Sequence, residues 1–435
     1  MQIIADLQLH SKYSRAVSPQ MELPQICAWT RRKGMGLVAT GDWTHPLWMR
    51  HIKEHLEELG NGLLKLKTAA PTDSLFLLAT EVSCIYTQNG KGRRIHTLIW
   101  VPSLASADKI NKEMTKQGCN LMSDGRPIIG LTSIQVAELV LTIEPKAMII
   151  PAHAWTPWFS VFGSKSGFNS LEEAYGKYVK QVYAVETGLS SNPSMNWRIK
   201  ELDTRSIVSF SDAHSGPKLG REATVFDIEK LSYESITNAI KQKGPSKIAY
   251  TIEFYPEEGK YHWSGHRACN IRWSPKETAE KGTTCPVCGK PLIQGVEQRV
   301  GELAGRSEAS LKLYKKGMMT LSKTFPKRPP FVMLVPLNEI ISECIGSPVA
   351  STKVAAPYQK LTDALGGEFN VLLNAKHTEI AGVAGERIAV GVDKVRSGDI
   401  VIDPGYDGVF GVVKLWRDGE QKPLVDASKE QLAIF

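Results

Sequence analysis

Ile3-Ile4-Ala5-Asp6-Leu7-Gln8-Leu9-His10 is a short apolar run that closes on side chains able to bind a metal. The same arrangement recurs through the first 258 residues. Gly36 to Thr40 leads into Gly41-Asp42-Trp43-Thr44-His45, and Leu75 to Thr80 leads into Glu81. Ile95 to Val101 begins beside His96, and Ala147 to Pro151 leads into Ala152-His153. Ile207 to Phe210 leads into Ser211-Asp212-Ala213-His214, and Val182 to Val185 is a further short apolar run. Helix-like stretches at 22–32, 47–59, 134–141 and 232–241 separate several of these runs. Strand–helix alternation of this kind favours an α/β fold on a mainly parallel sheet, leaving open a doubly wound sheet or a barrel. In both, the carboxyl ends of parallel strands meet on one face, where sites are normally built. Imidazoles and carboxylates gathered there suit a cluster of divalent metals that activates water and clamps a phosphoryl group. Asp212 and His214, two apart on an extended segment, face the same way. His51 and His55, in a charged helix-like stretch, are expected to face solvent, and His377 has no partner pattern.

The chain has 435 residues, 42% hydrophobic and 23% charged, which is ordinary for a folded protein of two or three domains. Its net charge of +8 allows an anionic partner. No apolar stretch approaches the roughly 18 residues of a spanning helix, and no signal-peptide pattern opens the sequence. The expected compartment is the cytoplasm, with no membrane partner. Seven unevenly spaced cysteines argue against a disulfide scaffold and for a reducing environment. A helicase is disfavoured because the phosphate-loop motif is missing. Three segments are expected: a barrel or sheet domain at 1–258, a small module at 259–300 and a connector with an α+β domain at 301–435. Within the last, Leu303 to Leu321 reads as helix, and Phe369 to Leu373, Ile400 to Ile402 and Gly408 to Trp416 read as strands.

His266-x-x-Cys269 and Cys285-Pro-Val-Cys288-Gly are two ligand pairs separated by 15 residues, close to a zinc-ribbon spacing. Each pair can chelate from one tight turn, and four closed ligands suit a structural zinc. His262 is the rival fourth ligand. This module holds seven Lys and Arg against three Asp and Glu. Lys260, Arg267, Arg272 and Lys290 are therefore candidates for contact with a nucleic-acid backbone. Trp43, Trp48, Trp155, Trp158, Phe159 and Phe162 follow closely after metal-type residues. They either stack on bases or pack their loops onto the core. Arg93, Arg94, Arg126 and Lys165 are available to neutralise phosphates.

The ordered set Asp-Leu-x-x-His-Ser, Gly-Asp-x-x-His, Glu81, His96, His153 and Ser-Asp-Ala-His resembles the polymerase and histidinol phosphatase (PHP) family. More narrowly, Ser11-Lys12-Tyr13-Ser14-Arg15-Ala16, Gly41 to Pro46, Glu186 to Pro193 and Pro404-Gly405-Tyr406-Asp407-Gly408 resemble its endonuclease Q branch, over nearly the whole chain. The resemblance implies a PHP-type distorted (β/α)7 barrel, then a small zinc-binding module with one structural Zn, then a smaller α+β C-terminal domain. It implies a barrel cluster of Zn, Mg or Mn held by Gln8, His10, Asp42, Glu81, His96, His153, Asp212 and His214. Asp42 is expected as a direct ligand and Glu81 as the bridging carboxylate. Glu81, Asp212 and His45 are the expected catalytic groups, His45 either as a further ligand or as a phosphate contact. Where PHP proteins usually have His-x-His, this chain has Gln8-Leu9-His10. That difference reads either as altered metal preference or as a substitution that cripples the site.

The implied activity is hydrolysis of the DNA phosphodiester bond 5′ of a deaminated base (uracil, hypoxanthine, xanthine) or an abasic site. Double- or single-stranded lesion DNA is the implied partner, at the nucleoid, with a sliding clamp or other repair proteins as further candidates. Trp43, Trp155, Lys165, Glu186, Ser190, Asn192 and Arg267 are the expected contacts to DNA or to the flipped base. Two alternatives stand beside this reading. One is a small-molecule phosphoesterase of the histidinol-phosphatase type, and the other is a DNA-binding protein with an impaired PHP site.

Overall fold

The structure is a computed structural model that describes residues 1–420 and Pro423, so the end of the 301–435 segment lies outside the described residues. Seven strands form the barrel: β1 (Gln2–Asp6), β2 (Leu37–Ala39), β3 (Leu75–Gln88), β4 (Lys91–Val101), β5 (Met148–Pro151), β6 (Ala184–Glu186) and β7 (Ser206–Val208). β1, β2 and β3 pair in parallel, as do β6 and β7. β4 runs the other way, antiparallel to both β3 and β5, and this reversal distorts the barrel. The ring closes where the segment after β7 meets the one after β1: His10 N–H donates to the Ala213 carbonyl at 3.0 Å. β2, β5, β6 and β7 are buried along their whole length, which is why they read as continuous apolar runs rather than alternating ones.

Helices Leu23–Lys33, Pro46–His55, Leu104–Lys116, Ser133–Ile143 and Tyr233–Ile240 cover the strands. Their ends follow local chemistry. Ser103 and Ser232 cap their helices by accepting backbone N–H bonds, and Thr132 with Gln135 makes a reciprocal capping box. In Leu104–Lys116 the buried Ala107, Ile110 and Met114 recur every three to four residues, the spacing of one helical face.

Several sequence expectations are corrected here. β3 does not end at Glu81 but runs on to Gln88 in a hairpin whose eleven paired positions carry Glu81 and His96 mid-strand. The helix expected over 47–59 stops at His55, and Leu56–Glu58 pairs with Leu64–Leu66 instead. The helix expected over 303–321 is a hairpin, Leu313–Lys316 with Met319–Ser322, turned by Gly317 at φ +60°. This hairpin and Phe331–Met333 extend the barrel's own sheet through Lys247–Glu253. Phe369 to Leu373 belongs to helix Glu368–Leu373, with Phe369, Val371 and Leu372 buried. A short apolar run does not by its pattern alone distinguish strand from buried helix.

The C-terminal unit is five helices, Leu337–Ile345 through Glu386–Ser397, followed by the hairpin Val401–Asp403 and Val412–Lys414. It is fastened to the barrel by a buried ion pair, Lys33 Nζ to Glu368 Oε2 at 2.6 Å, with Tyr358 Oη donating to the same oxygen at 2.6 Å. Removing one partner of such a pair strands a buried charge, at a cost of about 3–5 kcal/mol. Among the described residues no helix is long and apolar enough to cross a membrane.

One carboxyl near this junction makes stability depend on pH. Burial, with Glu339 adding repulsion and Lys218 opposing it, pushes Glu258 up to about 8. A raised folded value means that its contribution is complete below the ordinary carboxylate range and is lost as pH rises through about 8. Glu258→Gln is therefore expected to raise Tm more at pH 9 than at pH 5, by about 1–3 °C in differential scanning calorimetry. An equal shift at both pH values contradicts this.

Candidate metal centre and nucleic-acid face

The hairpin register decides the centre. Ser83 pairs with His96 and Glu81 with Leu98, so Glu81 and His96 are diagonal neighbours on one face. Glu81 Oε1 lies 2.5 Å from His96 Nδ1 and 3.3 Å from His153 Nε2. Its other oxygen, Oε2, lies 3.0 Å from His10 Nε2 and accepts from Gln8 Nε2 at 2.9 Å. His10 Nε2 is in turn 3.1 Å from Asp212 Oδ1, and His214 Nδ1 is 3.8 Å from that oxygen. Two triads result, Glu81–His96–His153 and His10–Asp212–His214, each with ligand atoms within 4.8 Å of one another. Glu81 spans both with one oxygen each.

The backbone is bent to achieve this. Asp42, His153 and Asp212 have positive φ (42°, 29° and 47°), a region costly for non-glycine residues and concentrated at functional sites. Gly188, at φ +59°, lets the loop after β6 press on His153; a Cβ there would lie 2.3 Å from the His153 Cβ. A Cβ on Gly125 would lie 2.3 Å from Asp42 Oδ2, so this glycine seats the loop that delivers Arg126. Arg126 Nη1 reaches 3.5 Å from Glu81 Oε2 and 3.4 Å from His10 Nε2.

Burial alone would raise the Glu81 carboxyl. His96, Arg126 and the hydrogen bonds from His10 and His153 outweigh it and hold the group well below the carboxylate range. Burial lowers His96 to about 4 despite Glu81, leaving a neutral imidazole with a lone pair to share. For His10, burial acts downward, but Asp42, Asp212 and Glu81 together raise it well above the usual value. The donor set fits divalent cations: imidazole and carboxylate in two adjacent triads, beside a buried Gln8 Oε1 with no protein partner. Gln8→His is expected to raise retention of zinc-class ions and to change turnover. Identical metal stoichiometry and rate in the two proteins would count against contact between Gln8 and the metals.

Asp42 stands elsewhere than expected. Its Oδ2 accepts from Ser11 N (2.6 Å), Ser11 Oγ (2.7 Å) and Ser14 Oγ (2.9 Å), and its Oδ1 faces His10 Nδ1 at 3.0 Å. Both oxygens are engaged, and Asp42 lies behind His10, outside either triad. His45 is also outside both triads. It stands at the residue before the helix start at Pro46 without a side-chain capping bond, stacks on Tyr13 at 4.5 Å, and is lowered by burial.

Trp43 and Trp155 are not stacking platforms: both are fully buried. Trp155 donates to Asn196 Oδ1 at 2.8 Å and packs on Phe162, so it holds its loop to the barrel. Glu186 is buried too. Its Oε2 accepts from His153 N–H at 2.7 Å, and burial raises its carboxyl well above the ordinary range, so it props His153 from within the core. Asn192 caps the helix Pro193–Trp197 by accepting from Met195 N–H, and Ser190 is half-exposed near Gly259. Lys165 and Arg267 are exposed, as a phosphate contact requires.

The aromatic surface beside the centre is a different one. Trp158, Phe159, Tyr261, Thr156, Pro157 and Arg94 line a cavity of about 350 Å³. Phe159 packs against His96 at 4.8 Å, and Trp158 meets Tyr261 edge-on at 5.7 Å. Tyr261 had no signal in the sequence, because it comes from the module after the barrel and reaches the mouth only through tertiary packing.

In the module, His266, Cys269, Cys285 and Cys288 converge. Cys288 Sγ is 3.4 Å from His266 Nδ1, and Gly289 (φ +71°) turns the knuckle. Burial works against ionisation of Cys285, but the backbone N–H groups of Cys288 and Val287 and the side chain of His266 draw its thiol below the usual value. His262 is not in the set; it faces Glu297 Oε2 at 3.5 Å.

Residues 336–399 match the family described as the MJ0043 C-terminal domain. The crystal structure of the lesion-specific endonuclease PfuEndoQ from Pyrococcus furiosus superposes with a TM-score of 0.81 at 31% identity, over 95% of each chain. The chain belongs to the endonuclease Q family. An endonuclease Q solved with a 27-mer duplex substrate carrying an abasic lesion at the active site is 30% identical, with a TM-score of 0.81 over 99% of this chain and 100% of that one. Uncharacterized protein YqxK of Bacillus subtilis is 28% identical over 88% of this chain and 90% of its own length. Uncharacterized protein MJ0043 of Methanocaldococcus jannaschii is 31% identical over 270 residues; the chain spans about a third of that protein's length. Endonuclease Q membership accounts for the barrel, the Cys3His group and the C-terminal unit together, and assigns the chain to nucleases that hydrolyse phosphodiester bonds.

Proposed function

We propose that the chain is a metal-dependent DNA repair endonuclease that recognises deaminated bases (uracil, hypoxanthine, xanthine) and abasic sites in DNA and cuts the phosphodiester bond 5′ of the lesion. The observation that carries this reading is Glu81 joining two ligand triads at a barrel mouth beside an aromatic, base-sized cavity. Divalent metals bound there would supply an activated water and neutralise the phosphate. Arg126 adds a guanidinium to receive a phosphate oxygen, and Asp42 fixes the ring of His10. A base turned out of the duplex would lie against the wall formed by Trp158, Phe159 and Tyr261, with Arg94 at the rim. Deamination replaces an amine donor with a carbonyl acceptor, so N–H donors in such a pocket favour uracil and hypoxanthine over cytosine and adenine. The cation in the Cys3His module is proposed to be zinc, since two tight-turn pairs of thiolate and imidazole match its tetrahedral preference.

The test is nicking of an end-labelled duplex containing one deoxyuridine, deoxyinosine or abasic site, with Mg²⁺ or Mn²⁺, on a denaturing gel. One cut immediately 5′ of the lesion, and none in the undamaged duplex, is expected. Lesion-specific binding without a cut would favour the impaired-site alternative. Neither cut nor preference would favour the small-molecule phosphoesterase.

A further inference from the structure

A second group of metal-type side chains lies outside the barrel mouth. Helix Pro46–His55 carries His51, Glu54 and His55, three and four residues apart and therefore on one face. Their ligand atoms lie within 4.8 Å of one another. The two imidazoles are nearly parallel, at 3° with centroids 5.6 Å apart. They are half-buried, not the solvent-facing pair expected of a charged stretch. His55 Nδ1 lies 3.0 Å from the His51 carbonyl, so a neutral ring donates from Nδ1 and leaves the Nε2 lone pair bare. A backbone carbonyl fixing the tautomer in this way is the support that metal-binding histidines generally have. The Glu54 carboxylate makes no hydrogen bond or ion pair among the described residues, so it is free to turn toward the imidazoles.

We propose that His51, Glu54 and His55 hold one divalent ion of the zinc class, distinct from the barrel ions and from the Cys3His zinc. Two imidazoles and a carboxylate are a complete three-ligand set with one position left for water. The site bears on the barrel through Tyr13, whose Oη is 3.5 Å from His51 Nε2 and whose ring stacks on His45. Tyr13 belongs to the same turn as Ser11 and Ser14, which hold Asp42 behind His10. An ion on His51 therefore braces the turn that orients a catalytic-centre ligand.

The test is a zinc count on the full-length protein, stripped with chelator and dialysed against buffered free Zn²⁺. His51→Ala/His55→Ala is expected to hold one zinc fewer per chain than wild type, and Glu54→Gln to bind that zinc about tenfold more weakly. With Co²⁺, the wild-type-minus-variant spectrum should show d–d bands without thiolate-to-cobalt charge transfer, which belongs to the Cys3His group. Equal zinc content in wild type and double variant overturns the proposal. If the double variant also loses its thiolate band, and so has misfolded, Glu54→Gln decides: unchanged zinc affinity overturns it.

Discussion

Glu81→Gln is expected to cut lesion-dependent nicking by on the order of 10³-fold while leaving the fold intact. The side chain is nearly isosteric, so packing in the β3–β4 hairpin survives, but the charge shared between the triads is lost. Glu81 meets His96 and His153 through one oxygen and His10 and Gln8 through the other. A glutamine presents one neutral carbonyl where two anionic oxygens stood. Electrostatic stabilisation in a water-excluded site is commonly worth 10²–10³-fold per group removed, about 2.7–4 kcal/mol. Because Glu81 serves both triads, the upper part of that range is the expectation. The check is single-turnover nicking with elemental analysis on the same sample. Barrel metal should fall while the Cys3His zinc stays. A rate within tenfold of wild type would remove Glu81 from the centre.

Cys285→Ser is the second large effect, and it acts on binding instead of chemistry. Cys285 sits in a small core with Trp273 and Leu292, and its sulfur belongs to the four-ligand group. Structural zinc contributes about 10–16 kcal/mol of apparent binding free energy in isolated fingers, so losing a ligand unfolds a module this small. The damage should reach beyond it. Arg267 N–H donates to Asp407 at 2.7 Å and Arg272 pairs with Asp403 at 2.6 Å, fastening the 404–411 loop; Tyr261, at the start of the module, forms one wall of the aromatic cavity. Affinity for lesion duplex is expected to drop roughly tenfold to a hundredfold with a shallower salt dependence, as phosphate contacts are lost. The barrel metals and the rate at saturating DNA should change far less. Unchanged DNA affinity in a variant verified to have lost its zinc would separate the module from DNA recognition.

Much of the site was legible because metal chemistry restricts residue type and strand ends restrict place. His10, His153, Asp212 and His214 all follow apolar runs, and the knuckle spacing marked His266, Cys269, Cys285 and Cys288 without any fold in hand. Roles were less legible than positions. Asp42 reads as a ligand by type, yet Ser11 and Ser14 occupy one of its oxygens and His10 the other. Trp43 and Trp155 read as platforms because they neighbour ligands, yet both are fully buried, and the accessible aromatic surface is that of the half-buried Trp158 and Tyr261.

The sequence by itself determined the α/β class, the donor types and the spacing of the Cys3His ligands, since these are encoded in local periodicity and in spacings of a few residues; the barrel was implied only by the family resemblance. Only the tertiary structure decided that β4 runs backwards, which residues each oxygen of Glu81 meets, and that Arg126 arrives at the mouth. It also decided that strands 313–333 extend the barrel's sheet. Each of these depends on partners brought together by register and loop closure over tens to hundreds of residues, and no local pattern carries that pairing.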